Sequence, residues 1–197
     1  MLARCRAAAA ARSLEVTVYH QAMEEMDLPR AYRAIFLAGP TFTLLPDDHA
    51  ARRTLERIRD HLTADGLARI PLFVPEPARP ETIGTTKTHT TPEGEQMHVT
   101  AVAQDRDETA RVQTTQLRYE LHTPNGQVEV VERPWRLHWY TQSGFRDLAS
   151  RAGLDVRAVI GPNGATATAG DPSFDVILAL PSPPTANPAA IDAGARM

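Results

Sequence analysis

The sequence predicts an α/β protein in which part of a doubly wound sheet is joined to an antiparallel β-meander. Residues 32–74 read as strand, amphipathic helix and strand, the repeating unit of a parallel sheet. Residues 84–140 alternate in polarity and are rich in Thr, Val, Gln and Arg, as is typical of antiparallel strands. We therefore expect one domain over residues 1–180, with the meander inserted at about 84–140.

Length and composition support a single globular domain and exclude several classes of protein. The 197 residues are 42% hydrophobic and 23% charged, which is enough to bury a core. The net charge of −3 provides no basic field for nucleic acid. The single cysteine, Cys5, cannot form an internal disulfide, which fits a reducing, cytoplasmic compartment. No apolar run approaches the roughly 20 residues that a membrane-spanning helix needs.

The start of the chain predicts a helix followed by a strand. Residues 2–12 are rich in alanine, with arginine on one side, which favours a surface helix. A cleaved transit peptide is the alternative, because this stretch carries arginine and no acid. Residues 14–19 alternate in polarity and are β-branched, so they predict a strand.

The strand–helix–strand unit follows. Residues 32–37 form a short apolar run that suits a strand covered on both faces. Pro46-Asp47-Asp48 predicts the start of the helix, because an acid in the first turn complements the helix dipole. Asp65-Gly66 predicts its end, and residues 67–74 the next strand.

Turn signals divide the meander into strands. Pro-Glu-Gly at 92–94 and Pro-Asn-Gly at 124–126 are typical of turns. The expected strands are 84–91, 95–104, 109–122 and 127–138.

A helix and a strand pair complete the predicted domain. The helix begins at Tyr140-Thr141 and ends at Gly153. Residues 154–160 and 174–180 then form a closing pair of strands. Residues 181–197 are rich in proline and alanine, so we expect a disordered tail.

Several motifs occur in an order that is informative as a series. They are His20-Gln21-Ala22-Met23 with Asp27-Leu28-Pro29, Gly39-Pro40-Thr41-Phe42, Leu62-Thr63-Ala64-Asp65-Gly66, Trp139-Tyr140-Thr141 and Ala152-Gly153-Leu154. The series resembles the class I S-adenosylmethionine-dependent methyltransferases, and in particular small bacterial members that carry a β-meander between the fifth strand and the last helix. The resemblance implies a Rossmann-like sheet and S-adenosylmethionine as the cofactor.

The resemblance also implies which residues bind the cofactor. Ala22 and Met23 lie in the motif that resembles an adenine-binding turn. Leu37 and Gly39 lie in the loop after the fourth strand of the family, where a glycine lets the loop pass close to the sulfonium. Phe42 would line the methyl-transfer pocket. Core packing is the alternative role for Met23 and Phe42, and a simple turn is the alternative for Gly39.

The first half of the family's sheet has no counterpart in this sequence. The Gly-rich loop after the first strand and the ribose-binding acid after the second strand cannot be assigned. The family's strand order is 3-2-1-4-5-7-6, so a strand at 14–19 would be separated by a gap from the strand at 32–37. We therefore expect either a truncated reading or a homodimer that pairs the open edges.

The meander is expected to cover the methyl acceptor. His138 and Tyr140 share a face and are the predicted catalytic residues, because an imidazole or a phenol can orient an acceptor or take its proton. Arg118 and Glu120 share a polar strand face and are predicted to bind the substrate. A solvated polar face is the alternative for each of them. The histidines lie at unrelated spacings, so no metal site is expected.

These observations lead to three hypotheses about function. The first is S-adenosylmethionine-dependent transfer of a methyl group to an oxygen, nitrogen or carbon of a small molecule. The second is a non-catalytic, methyltransferase-like binding or regulatory module. The third treats residues 84–140 as an antiparallel cup that binds apolar ligands. None of them involves a nucleic acid or a membrane.

Overall fold

The computed structural model describes residues 2–92 and 94–182. This part of the chain contains the helices α1 (Leu2–Ala10), α2 (Asp48–Asp60) and α3 (Gln142–Arg151). Its strands are β1 (Tyr32–Phe36), β2 (Leu62–Phe73), β3 (Thr86–Thr90), β4 (Gln96–Asp107), β5 (Val112–His122), β6 (Val128–His138), β7 (Asp155–Ile160) and β8 (Ser173–Ala179). The predicted tail lies outside the described residues, apart from 181 and 182.

The first sheet has the strand order β1-β2-β8-β7. β1 and β2 are parallel and are joined through α2, whereas β8 is antiparallel to both β2 and β7. This order corresponds to strands 4-5-7-6 of the predicted family sheet. The predicted strand–helix–strand unit and the closing strand pair are therefore confirmed.

The second sheet, β3-β4-β5-β6, is the predicted meander of antiparallel strands. A β-bulge between Ala101 and Ala103 interrupts the alternation of β4. β4 continues to Asp107, three residues beyond its predicted end, and β5 begins at Val112, three residues later than predicted. Arg111 makes the turn between them with a φ of 56°, in the left-handed region that side chains other than glycine rarely adopt.

The predicted strand at residues 14–19 is wrong. Residues 14–22 have no regular secondary structure, and Leu14 is 59% exposed. An alternating pattern forms a strand only where another strand supplies its hydrogen bonds. In the described part of the chain, none does so for this segment.

The predicted helix stop at Asp65-Gly66 is also wrong. α2 ends at Asp60, and Gly66 lies inside β2. The pairing of β1 with β2 shifts here, since Tyr32 pairs with Leu62 but Ala34 pairs with Leu67. A side chain at position 66 would come within 2.9 Å of the Tyr32 carbonyl oxygen. The glycine therefore permits a close approach of two strands rather than ending a helix.

The helices α2 and α3 begin where the sequence predicts. Asp47 caps α2 by accepting a hydrogen bond from the Ala50 amide at 2.8 Å. Thr141 caps α3 by accepting one from the Gly144 amide at 3.1 Å. Both helices contribute buried side chains to one core with the first sheet; these include Ala51, Leu55, Ile58, Phe145, Ala149, Ile70, Leu72 and Leu178. The caps thus fix where both helices begin, beside this shared core.

β1 forms one edge of the first sheet. Phe36, its last residue, is 74% exposed. The carboxyl end of this strand leads into the turn with Gly39, so an exposed aromatic ring lies beside the predicted cofactor turn. None of the helices in the described part of the chain has the length and apolar character to cross a bilayer.

Candidate active site

Four polar side chains from separate elements meet beside the N-terminus of α2. Asp48 is the first residue of α2, and Arg111 lies in the turn between β4 and β5. His138 ends β6, and Tyr140 precedes α3. We call these four residues the Asp48 cluster. Asp48 and His138 lie in regular elements, and Arg111 and Tyr140 each lie within two residues of one, so the scaffold positions the cluster.

The Asp48 carboxylate is the centre of this cluster. The Tyr140 hydroxyl donates to Oδ1 of Asp48 at 2.6 Å. Nη2 of Arg111 lies 2.7 Å from Oδ1 and 2.6 Å from Oδ2. Nε2 of His138 is 3.5 Å from Oδ1. The Arg111 guanidinium also lies 4.7 Å from the centroid of the Tyr140 ring, within cation–π range.

The cluster shifts the protonation of three of its members. Burial raises the pKa of Asp48, but hydrogen bonds from Arg111 and Tyr140 outweigh it, so the net pKa is lowered. Burial lowers the pKa of His138 more than the charge of Asp48 raises it. Burial, together with the hydrogen bond to Asp48, raises the pKa of Tyr140 far above its usual value. At neutral pH, therefore, Asp48 is ionised, Tyr140 keeps its proton and His138 is a neutral base.

Two clefts reach the cluster. One, of about 500 Å³, is lined by Asp48, Arg111 and Tyr140 together with residues of α3. The other, of about 400 Å³, is lined by Asp48, Arg111, Arg136 and His138. A small polar molecule in the second cleft would meet a neutral imidazole and arginine side chains. This arrangement can accept a proton from an amine or a hydroxyl group.

The predicted cofactor residues lie along the loops on either side of β1. Ala22 is exposed and precedes a 3-10 turn at Met23–Glu25, in which Met23 is half-buried against the core. Leu37 is half-buried, and its amide donates to the Arg69 carbonyl at 3.1 Å. Gly39 has a φ of 75°, and a side chain there would meet nothing within 4 Å. The turn at Gly39 is therefore open on its outer side.

Phe42 connects this turn to the Asp48 cluster. It is fully buried in the 3-10 turn Thr41–Leu44. Its ring packs edge-on against Tyr140, with centroids 6.0 Å apart, and against Phe145, with centroids 5.3 Å apart. Phe42 is therefore packed in the core, and its ring supports the tyrosine of the cluster.

The predicted substrate residues lie elsewhere. Arg118 and Glu120 form an ion pair on β5, with Nε and Oε1 2.8 Å apart. In the register of β5 and β6, Arg118 lies opposite Glu132, whereas His138 lies opposite Val112. Six residues of β-strand separate the two positions, which is about 20 Å. The structure therefore brings His138 and Tyr140 together, but not with Arg118 and Glu120.

Solved structures with a similar architecture include several methyltransferases. An S-adenosylmethionine-dependent methyltransferase from Clostridium acetobutylicum is similar with a TM-score of 0.72 and 7% identity, over 92% of this chain and 71% of that chain. The CcbJ methyltransferase from Streptomyces caelestis has a TM-score of 0.68 and 19% identity, over 92% and 75%. The sugar N-methyltransferase KedS8 from a Streptoalloteichus species has a TM-score of 0.59 and 21% identity, over 86% and 66%. The chain has the class I methyltransferase fold.

The methyltransferase fold predicted from the ordered motifs is thus confirmed at the level of structure. In sequence, no protein-family model matches the chain, and no curated protein matches it either. Sheets of this fold bind ligands at the carboxyl ends of their strands, at a point where the strand order reverses. In this chain, residues 37–42 follow the carboxyl end of β1.

The turn after β1 leaves room for a ligand to approach its backbone. Open space lies beside Gly39, and apolar surface is available from Phe36 and from Leu44, both of which are exposed. A glycine with positive φ lets the backbone approach a ligand closely. Among the described residues, no group of three or more His, Cys, Asp or Glu side chains is arranged to hold a metal ion.

Sequence reasoning missed Asp48 and Arg111 as members of the site. In the sequence, Asp48 is recognisable only as an acid that complements the dipole of α2. Arg111 carried no signal, because its role depends on a turn that brings it next to a residue 63 positions away in the chain. The Asp-Asp pair at the start of α2 is the one local sign of a functional acid. Asp47 alone suffices as the helix cap, which leaves Asp48 for another role.

Proposed function

We propose that this protein transfers a methyl group from S-adenosylmethionine to an oxygen, nitrogen or carbon of a small molecule. The observation that carries this proposal is the methyltransferase fold, with an open glycine turn at the carboxyl end of β1. When bound, S-adenosylmethionine supplies an electrophilic methyl group. The residues predicted to hold it are Ala22, Met23, Leu37 and Gly39, with Phe42 as the buried support of the turn.

In this proposal, His138 is the general base. Its lowered pKa keeps the imidazole neutral at pH 7, so it can take the proton of an amine or hydroxyl acceptor. Asp48 holds Tyr140 and Arg111 in place through the hydrogen bonds described above. The side chains of Arg111 and Arg136 offer hydrogen bonds to polar groups of an acceptor in the cleft beside His138.

The acceptor is proposed to be a polar small molecule. KedS8, which is similar in structure, is by its name a sugar N-methyltransferase. A sugar amine or hydroxyl suits a cleft lined by arginine and imidazole groups, because these groups hydrogen-bond to polar ring substituents. The reducing cytoplasm is the proposed compartment, given the single, exposed Cys5.

Product formation tests this function directly. The purified chain is incubated with isotopically labelled S-adenosylmethionine and a panel of amino sugars, hydroxylated sugars and aromatic hydroxyl compounds. Mass spectrometry then follows both the methylated product and S-adenosylhomocysteine. The proposal predicts label in a product from at least one compound. A folded chain that labels none of them and forms no S-adenosylhomocysteine would contradict it.

A non-catalytic binding or regulatory module is the second candidate. β1 is an edge strand of its sheet in the described part of the chain, and the exposed ring of Phe36 lies at its end. A homodimer that pairs this edge would cover the exposed backbone. Cooperative unfolding without any affinity for S-adenosylmethionine would support this candidate, whereas even slow methylation would exclude it.

A further inference from the structure

A cavity of about 510 Å³ lies on one face of the meander sheet. Its lining includes Lys87, Val99, Ala101, Gln104, Leu117 and Trp135. Cavities of 300–1,000 Å³ hold typical small-molecule ligands. The volume is therefore sufficient for a molecule with two or three rings.

The register of the sheet explains why these side chains share a face. Lys87 pairs with Val99, Ala101 pairs with Leu117, and Trp135 pairs with Thr115. The bulge between Ala101 and Ala103 shifts the alternation, so Gln104, opposite Thr115, joins the cavity face. His138 is three residues from Trp135 along β6 and so belongs to the opposite face. The cavity is thus separate from the Asp48 cluster.

The floor of the cavity suits an apolar ligand body. Val99, Ala101 and Leu117 supply aliphatic surface. The polar groups of the floor are already paired, since Nε2 of Gln104 donates to the Thr115 hydroxyl at 3.1 Å and Oε1 of Gln104 accepts from the Ala78 amide at 2.6 Å. A ligand is not required to satisfy them, so an apolar ring can cover this floor without leaving buried polar groups unpaired.

The two edges of the sheet differ in chemistry. Lys87 lies on the edge strand β3 and is the only lysine of the chain, whose other 20 basic residues are arginines. Among the described residues, no carboxylate lies within 4.0 Å of its ammonium group. Trp135 lies on the opposite edge strand β6 and is 45% exposed. The cavity therefore has an available cation at one edge and an aromatic face at the other.

We propose that this cavity binds an anionic aromatic small molecule, with its ring against Trp135 and its carboxylate, sulfonate or phosphate at Lys87. The exposed indole can stack on the aromatic ring of such a ligand, and the ammonium group can pair with its anionic group. The proposed methyl transfer is not required for this binding, since the cavity and the Asp48 cluster lie on opposite faces of β6.

A fluorescent probe of the same chemistry tests the proposal. 8-Anilinonaphthalene-1-sulfonate is titrated into the full chain without S-adenosylmethionine, and both probe emission and tryptophan quenching are recorded. We expect one site per chain and quenching of Trp135, while the second tryptophan, Trp139, is buried beneath Arg106. The neutral analogue N-phenyl-1-naphthylamine should bind more weakly.

Variants at both ends of the cavity complete the test. Lys87→Met should weaken probe binding roughly fivefold, whereas Lys87→Arg should retain most of the wild-type affinity. Trp135→Phe should remove most of the tryptophan quenching. Arg146→Met is the matched control, because it removes one exposed cation from α3, which contributes no residue to the cavity lining, and it should leave binding unchanged.

Each variant is first shown to unfold cooperatively with an unchanged midpoint, so that probe binding reports on folded protein. Unchanged affinity in Lys87→Met would overturn the proposal, as would quenching that persists in Trp135→Phe or an equal loss of affinity in Arg146→Met. Because the probe needs no cofactor, a failure here is distinguishable from a failure of methyl transfer.

Discussion

The hydroxyl of Tyr140 donates a hydrogen bond to the carboxylate of Asp48 at 2.6 Å, across 92 positions of the chain. The tyrosine ring is buried, whereas the Asp48 side chain is 59% exposed and lines a cleft. The contact therefore joins the core below α3 to the polar surface at the start of α2. It fixes the carboxylate that also holds Arg111 and lies beside His138.

Removing this hydroxyl should destabilise the protein. Tyr140→Phe keeps the aromatic packing but deletes the donor to an ionised group, and we expect a loss of about 1–2 kcal/mol in the free energy of unfolding. Tyr119→Phe is the matched control, since the Tyr119 hydroxyl has no hydrogen-bond partner in the part of the chain that the structure describes. Urea denaturation followed by circular dichroism measures both. Equal stability of Tyr140→Phe and wild type would show that the contact contributes nothing.

The lowered pKa of His138 predicts a pH-dependent stability. Below its ordinary value of 6.5, the unfolded chain takes up a proton that the folded chain resists. Stability should therefore fall as the pH decreases from 6.5 toward the lower folded pKa, and His138→Gln should remove this component. The free energy of unfolding is measured for both proteins between pH 7.5 and 5. Parallel pH profiles for the two proteins would contradict the assigned direction.

The lowered pKa of Asp48 predicts a second pH dependence of stability, at more acidic pH. Its pKa is lowered in the folded protein, so its contribution to stability is present above the ordinary value of 3.8 and is lost as the pH falls through the folded pKa. Below pH 4, the Asp48→Asn protein should lose less stability than the wild type. The difference should be less than about 1 kcal/mol, because the carboxylate is largely exposed. Acid titrations monitored by circular dichroism check this. Asp155→Asn, an exposed acid on β7, is the control.

If His138 is the general base, its substitution should slow turnover more than binding. His138→Gln is expected to lower kcat by roughly 10²–10⁴, with little change in the affinity for S-adenosylmethionine. His89→Gln, an exposed residue of β3, should leave kcat unchanged. Initial rates and a separate cofactor titration distinguish the two effects. An unchanged kcat in His138→Gln would remove His138 from the chemistry and leave it as a structural residue.

The open turn at Gly39 allows a test of cofactor contact. Gly39 and Gly164 have the same φ of 75°, and an added side chain would meet nothing within 4 Å at either position. Replacing either one with alanine should thus cost a similar 1 kcal/mol or so of stability. Only Gly39→Ala should weaken binding of S-adenosylmethionine, by at least about tenfold, since only this turn is proposed to face the cofactor. Calorimetric titration of both variants measures this. Equal affinities would place the cofactor elsewhere.

Local signals predicted the elements that depend on local interactions. Asp47 and Thr141 cap their helices through contacts three residues away, and the Pro-Asn-Gly turn at 124–126 joins β5 to β6 as expected. These features were predictable because each involves neighbours in sequence.

Features that depend on distant partners were not predictable. Residues 14–19 have the alternation of a strand, but no strand lies beside them in the described residues. Gly66 permits β2 to approach the backbone of Tyr32 closely. The pairing of Asp48 with Arg111 likewise depends on the fold and not on a motif. The sequence therefore predicted His138 and Tyr140 as a pair but not the carboxylate that joins them.

The most direct test of the methyltransferase assignment is a calorimetric titration of S-adenosylmethionine into the purified 197-residue chain. The fold and the open turn at Gly39 predict saturable binding of one molecule per chain at micromolar concentration. The absence of any binding heat at several temperatures, from a chain that unfolds cooperatively, would contradict the assignment and favour the non-catalytic module.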